Sequence, residues 1–416
     1  MGIGRSKEKR TRVVPSFKAD NDALNILSRS LSHLPSPGWR DYAAATPPQL
    51  WNGLQLEEEK LWSKMRIFVL SRGLIWPSKR QRVISISLPA SDVMGRLPSS
   101  FEGAGKRKKK NDQWALASLR HLVLYSNSIS GPIPLILGLK LRRLESLNLG
   151  GNRLTNREKN RGIPETLGLL KELQLLDLHS NLLSGNLDEQ CNAMKLRGLT
   201  KLIIVSFGEN EFHGPFPREM TRMKFLREIY LRSLRLHGTL PDFRGNWALE
   251  VLDISDNKFK GPIPRMEGSP NLCDLRFQRN NFTGELPETL GCLRSLTRLD
   301  VSHNNLSGIN CVNWGLSGGN KEVSDGEWSG NLTTLTHLDC SNNNINGSLS
   351  HGLGDLRNLK VLNISKNHIC GRVPGELLAL RNLVILDLSR NEKLALQNET
   401  REWLSSSLPK TTTVLI

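Results

Sequence analysis

Five aspartates, Asp177, Asp253, Asp300, Asp339 and Asp387, recur in one frame, each directly after a leucine. A column of carboxylates can in principle bind calcium. Here Asp is the ordinary occupant of a recurring slot, so the column predicts no metal, and no cofactor is expected. Phosphate chemistry is no better supported. Gly103-Ala104-Gly105-Lys106 lacks the spacing of a phosphate-binding loop. The nine histidines are scattered, and no set of kinase motifs follows the recurring frames, after which Leu396 to Ile416 remain. Cys191, Cys273, Cys292, Cys311, Cys340 and Cys370 form neither a CxxC pair nor a zinc spacing. The residues predict a non-catalytic chain, and the chemistry left open is recognition.

The net charge of +17 does not point to nucleic acid. Residues 1–12, 60–82, 103–112 and 153–161 together carry +18, so everything else sums to −1. The basic character sits in a tail and in insertions, whereas a nucleic-acid reader carries it along a folded face.

The elements that must position any recognition site come from one frame, LxLxxNxLxGxIP. It places Asn127, Asn152, Asn181, Asn210, Asn257, Asn280, Asn304, Asn343, Asn367 and Asn391 in register. Leu252 to Pro264 and Leu362 to Pro374 are clear instances. Ser91 and Leu234 take the asparagine's place in two further frames, giving twelve turns. Alternating leucines such as Leu122 and Leu124 put their side chains on one face of a short strand, and Ile129 closes onto the same core. The LxxLxxL half of each repeat has helical spacing. Each turn buries roughly four to six apolar side chains at about 1.5–3 kcal/mol each, and needs neighbours to do so. The asparagine amides are expected to face inward and bond the backbone of adjacent turns. At about 4.8 Å per parallel strand, twelve turns stack to roughly 58 Å.

Over residues 83 to about 394 this frame resembles the plant-type leucine-rich repeats. The resemblance implies an α/β solenoid: a right-handed superhelix with a parallel β-sheet on the concave face and short helices or 3-10 turns on the convex face. It also implies that the concave face binds a protein or peptide, in signalling or defence. Asp22 to Leu31, Trp39 and Trp51-Asn52-Gly53-Leu54 resemble the cysteine-free cap of microbial and algal repeat proteins. The expected organisation is a disordered basic tail (1–19), a helical cap (20–82) with a basic and apolar insertion (60–80), the solenoid (83–394) with loops at 103–112, 155–161 and 309–329, and a C-terminal cap or tail (395–416). The 60–80 insertion reads as a membrane-surface element, as a loop over the cap or as a wrongly translated stretch of the gene.

Asp and Ser are the default occupants of the concave strand positions, and departures from them mark the candidate partner site. These are Glu228, Tyr230 and Arg232 on one strand, Asp274, Arg276 and Gln278 two strands on, Asp253 between, and Arg298 with Asp300 beyond. Tyr125 and His179 stand nearer the start. Tyrosine and arginine dominate binding hot spots, whereas the bland alternative is a set of solvated cross-turn ion pairs.

Three features bear on location. Secreted repeat proteins of this type usually brace the cap with a cysteine pair, and none precedes Cys191. Met1 to Asp20 lacks an apolar leader. Met1-Gly2-Ile3-Gly4-Arg5-Ser6, followed by Lys7, Lys9, Arg10 and Arg12, fits a myristoylation frame with Gly2 as lipidation candidate, which would give inner-leaflet membrane contact. The expectation is a cytoplasmic chain, with membrane association through Gly2. Against it stand six N-x-S/T sequons, at Asn281, Asn305, Asn331, Asn346, Asn363 and Asn398. The NxLSG frame generates Asn281 and Asn305 as a by-product. The alternative is a secreted or cell-surface recognition or inhibitor protein, or a receptor ectodomain.

Overall fold

The computed structural model describes residues 31–32, 54–57, 82–97, 117–156, 162–243, 245–308, 332–395 and 412–415. Gly2, the cap tryptophans and the expected insertions at 60–80, 103–112 and 309–329 lie outside these residues, as do 157–161 of the loop expected at 155–161.

Two stacks of strands run the length of the chain. The first is a sheet of fourteen strands in sequence order, from Leu54–Glu57 to Thr413–Leu415. Twelve of them, Arg82–Ser87 through Ile385–Asp387, belong to the twelve turns. Neighbours are parallel and in step: Glu228 pairs with Val251, Ile229 with Leu252 and Tyr230 with Asp253. The ends differ. Leu54–Glu57 lies antiparallel to Arg82–Ser87, while Thr413–Leu415 adds a further parallel strand. Each central strand residue, such as Leu122 or Leu252, is buried, and its neighbours face the concave side.

The second stack was not anticipated. The segment after each ladder residue, read from sequence as a turn closing onto the core, is extended and pairs with its equivalents. Nine parallel strands run from Ser184–Asn186 to Lys393–Ala395, and a four-stranded sheet holds Met94–Arg96, Ser128–Gly131 and Arg153–Leu154. A single bridge, Thr155 to Leu182, joins the two among the described residues. Proline then ends the extended run: Pro134, Pro164, Pro217, Pro287 and Pro374 each immediately precede a short helix or 3-10 turn. These turns stack so closely that a Cβ built on Gly138 would lie 2.0 Å from the Thr166 carbonyl oxygen, and one on Gly168 1.7 Å from that of Met194.

All ten asparagines face inward as expected, nine of them buried and Asn127 half-buried. Asn280 shows the pattern. Its Nδ2 donates to Phe277 O in its own turn (3.1 Å) and to Ile254 O in the preceding one (3.0 Å), and its Oδ1 accepts from Phe259 N (3.0 Å). At the Ser91 turn, Asn127 bonds Leu88 O and accepts from the N–H groups of Ser91 and Val93. Leu234 is buried and makes no such bridge, although Asn257 still reaches back to Leu231 O at 2.8 Å. Around this gap the core turns aromatic. Phe216 packs on Phe243 and Phe259, and Phe282 on Phe259 and Phe277, with ring centroids 5.3–6.4 Å apart. Such contacts add to the apolar burial that aromatic side chains bring.

Asn280→Leu should keep the volume while leaving the Phe259 N–H without its acceptor and the Ile254 and Phe277 carbonyls with one donor each, from Asn257 and Asn304, in place of two, at about 1–3 kcal/mol for the buried N–H. The expected loss is about 1–3 kcal/mol in urea unfolding of the full chain, and an unchanged midpoint would remove the bridging role assigned to the ladder.

Candidate functional site

The strand register sorts the concave side chains into three rows. In the first, Glu228, Val251, Asp274, Arg298 and His337 are consecutive partners. In the second, Tyr230, Asp253, Arg276, Asp300 and Asp339 follow the same strands. The third, one step beyond the strands, is linked by bonds from N–H groups to carbonyls in the next turn. It runs Tyr125, Gly150, His179, Gly208, Arg232, Ser255, Gln278 and Ser302.

The first two rows interlock. The Tyr230 hydroxyl donates to Glu228 Oε2 at 2.9 Å, and burial together with this bond pushes its pKa up. Arg276 grips Asp274, with Nη2 2.6 Å from Oδ2 and Nε 3.1 Å from both oxygens, which raises its own pKa. Its Nη1 also lies 3.8 Å from Asp253 Oδ2. Arg298 reaches Asp300 at 3.5 Å and Asp274 at 4.0 Å. Asp253 is buried and accepts from Ser255 through both N–H (3.1 Å) and Oγ (2.6 Å). Gln278 Oε1 and Arg298 Nε are buried atoms that make no hydrogen bond. Most buried polar atoms in a folded protein are bonded, so such atoms call for an explanation.

A second group sits one to two turns earlier. His179 Nδ1 lies 2.6 Å from Asp177 Oδ1, and this bond raises the imidazole pKa above its ordinary 6.5. Glu209 accepts from Ser180 Oγ and from Arg232, which lowers its pKa, the Ser180 bond contributing most. Glycines open the space for this arrangement. A Cβ on Gly150 would fall 2.3 Å from His179 Nδ1, and one on Gly208 3.1 Å from Arg232 Cγ. Both long side chains therefore lean toward the preceding turn.

Of the sequence-predicted residues, the structure brings Glu228, Tyr230, Asp253, Asp274, Arg276, Arg298 and Asp300 into one grid, with Gln278 at its edge. It turns Arg232 away from that grid to Glu209, beside His179. Tyr125 stands exposed two turns before His179, with Gly150 between. Sequence reasoning missed Glu209 and Ser180, which no strand pattern marks. It also missed His337 and Asp339 as continuations of the grid. His337 was legible, since it occupies the slot of Glu228, Asp274 and Arg298. Burial raises the Asp339 pKa, and Asn363 donates to Asp339 Oδ2 at 3.1 Å.

A profile described as Leucine Rich Repeat matches residues 118–139, 248–267, 334–356 and 358–380, and a second matches 292–309. The chain is 36% identical over 129 residues to pollen receptor-like kinase 2 of Arabidopsis thaliana, a match covering 30% of this chain and 19% of that one. It is 30% identical over 195 residues to receptor-like protein 35 of the same plant, covering 45% and 19%. Among solved structures, the plant peptide hormone receptor RGFR1 in complex with RGF2 superposes with a TM-score of 0.58 at 26% identity, over 77% of this chain and 49% of that one. The PEPR1–AtPEP1 crystal structure gives 0.67 at 25%, over 96% and 51%. The chain thus spans about a fifth of these two curated relatives and about half of these two solved chains.

These findings correct the expected location. The relatives are receptor-like proteins and a solved neighbour is a plant peptide hormone receptor, which points to the cell surface rather than the cytoplasm. The cytoplasmic expectation rests on the lack of a cap cysteine pair and of an apolar stretch in Met1 to Asp20 and on the Gly2 frame, while the kinship is carried by the repeat itself. The inward asparagines, the parallel sheet they accompany and the profile matches agree: the chain is a leucine-rich-repeat protein of the plant type.

Proposed function

We propose that this chain is the recognition part of a cell-surface receptor-like protein, and that it binds an extended, mixed-charge peptide or protein segment along its concave wall. One observation carries the reading. Seven half-exposed or buried polar side chains, Glu228, Tyr230, Asp253, Asp274, Arg276, Arg298 and Asp300, lie in two registered rows on four adjacent strands, both charge signs present. The His179–Arg232 group extends the polar wall on one side and His337–Asp339 on the other. The span covers seven strands, from Leu175–Asp177 to His337–Asp339. At about 4.8 Å per strand that is roughly 29 Å, the length of about nine extended residues at ~3.3 Å each. The two solved neighbours described above, one a peptide hormone receptor in complex with RGF2 and the other PEPR1 with AtPEP1, support a peptide as ligand. No step requires catalysis.

The test is an array of nine- to twelve-residue peptides of mixed charge, probed with the full chain. Each hot-spot truncation costs about 2 kcal/mol or more, or roughly 30-fold in affinity. Tyr230→Ala with Arg276→Ala should therefore abolish capture of peptides that bind the parent, with circular dichroism unchanged. Undiminished capture by the folded double variant would reject this patch.

His179 supplies a charge that varies with pH. Because its folded pKa is raised by Asp177, the proton is held to higher pH than in the unfolded chain. The stabilisation is full below the ordinary 6.5 and fades as pH climbs through the raised value. NMR titration should place His179 above 6.5. Gly150→Ala, whose Cβ collides with the ring, should bring it down, and equal values in the two proteins would discard the Asp177–His179 pair as the cause.

A further inference from the structure

Four sequons fall on described residues, and the fold treats them unequally. Asn281, Asn305 and Asn346 are each the first residue of consecutive strands in the second sheet, Asn281–Glu285, Asn305–Gly308 and Asn346–Ser348. All three are exposed, and none makes a side-chain hydrogen bond within the described residues. On a strand, residues two apart share a face. The hydroxyl residue of each sequon, Thr283, Ser307 and Ser348, accordingly stands exposed beside its asparagine.

Asn363 is different. It lies on the concave strand Val361–Asn363. Its Nδ2 donates to Asp339 Oδ2 at 3.1 Å, and its Oδ1 accepts from Ser365 N (3.2 Å) and Ser365 Oγ (2.8 Å). Ser365, the hydroxyl of this sequon, is buried. Both groups are consumed by the fold, and a sugar there would stand in the second concave row.

We infer that Asn281, Asn305 and Asn346 are N-linked glycosylation sites and that Asn363 in the folded chain is not. The assignment rests on the cell-surface reading, because the donor is a polyprenyl-diphosphate-linked oligosaccharide met during secretion. The asparagine Nδ2 attacks the anomeric carbon of the first N-acetylhexosamine. A C–N bond forms, the C–O bond to the diphosphate breaks, polyprenyl diphosphate leaves, and the nitrogen gives up a proton to a base of the transferase. The three sugars cover one flank of the turns from Asn280 to Asn343. The concave grid of Tyr230 and Arg276 stays clear, so the modification confines a partner to the inner wall.

The full chain, expressed behind a secretion leader in a glycosylating eukaryotic host, is digested with peptide N-glycosidase in heavy-oxygen water, and its peptides are mapped by mass spectrometry. Heavy-oxygen aspartate is expected at positions 281, 305 and 346, with Asn363 unlabelled. Thr283→Ala should remove the label at 281 alone. Label at 363 in the folded, secreted material, or none at the three exposed positions, overturns the assignment. The natural chain from its source tissue separates the two readings. If it resists the glycosidase while the leader-driven chain is labelled at all three sites, the cell-surface reading falls and the acceptor assignment stands.

Discussion

A carboxamide shared between two turns is the interaction on which the rest of this molecule depends. Where the chain leaves the concave strand it bends, and in the bend the carbonyls and N–H groups point into the core, away from both sheets. Asn152 shows what the side chain supplies. It donates to Leu149 O in its own turn and to Leu124 O in the preceding one, and it accepts from Ile129 N. A buried unpaired amide or carbonyl is expensive, and only a planar group with a donor and an acceptor at one end can serve these at once. Two of these three bonds cross to a neighbouring turn, so no turn satisfies its own backbone. Polar satisfaction, like apolar burial, exists only in the stack.

That constraint also explains why a recognition surface can be written on the strands. With each turn held to the next by fixed bonds, side chains at equivalent positions fall into straight rows. A residue in one strand meets the same partners as its equivalents do. Arg276 can bind Asp274 beside it and approach Asp253 one turn back because the rows do not slip. These pairs are more than a third exposed on the arginine side, and exposed ion pairs contribute little stability. Their worth lies in orientation: an arginine already held by carboxylates presents its remaining donors to a partner with little further ordering. Charge complementarity of this kind governs specificity more than raw affinity.

The ladder, the twelve turns and the concave face were legible because each leaves a side-chain mark at a fixed period. Alternating leucines mark the strand, and asparagine marks the bend. The second sheet leaves only the apolar residue and glycine of xLxG, which read equally well as a turn. Its bonds join backbone atoms more than twenty residues apart, and its strand-opening residues, Lys258 or Asn305 or His368, share no type. The residue before each ladder asparagine is likewise unmarked. Ser126, Glu209, Asp256, Arg279, His303 and Lys366 all adopt positive φ of 53° or close to it, yet only Gly151 is a glycine. The fold imposes the left-handed backbone there at a cost of about 1–2 kcal/mol per residue, and the side chain is thereby thrown to the exposed rim. In the candidate site, residue identity and row were readable, but the lean of long side chains was not. Arg232 turns to Glu209 because Gly208, one turn away, leaves the room. A strand's own sequence does not contain that information.

Leu234 shows which task the ladder performs and which it does not. The missing asparagine costs its turn two links backward, the donor to Phe207 O, which still accepts from Asn210, and the acceptor of the kind that Asn210 and Asn257 offer Leu183 N and Leu236 N. The strands on either side are nonetheless in full register, Ile204 with Glu228 and Glu228 with Val251. Backbone bonds suffice there: Phe207 N to Tyr230 O at 2.9 Å and Leu231 N to Asp253 O at 2.7 Å. The asparagines are therefore needed by the bend rather than by the sheet. At this turn the bend is filled instead by apolar volume, Leu234 itself and the phenylalanines that gather in the same turns. The lapse lies on the strand of Tyr230, where the two polar groups of the concave wall meet. A grid held in line by the strand backbone tolerates the substitution behind it. The rows, and with them the recognition surface, survive a change in the core that the bend alone has to absorb.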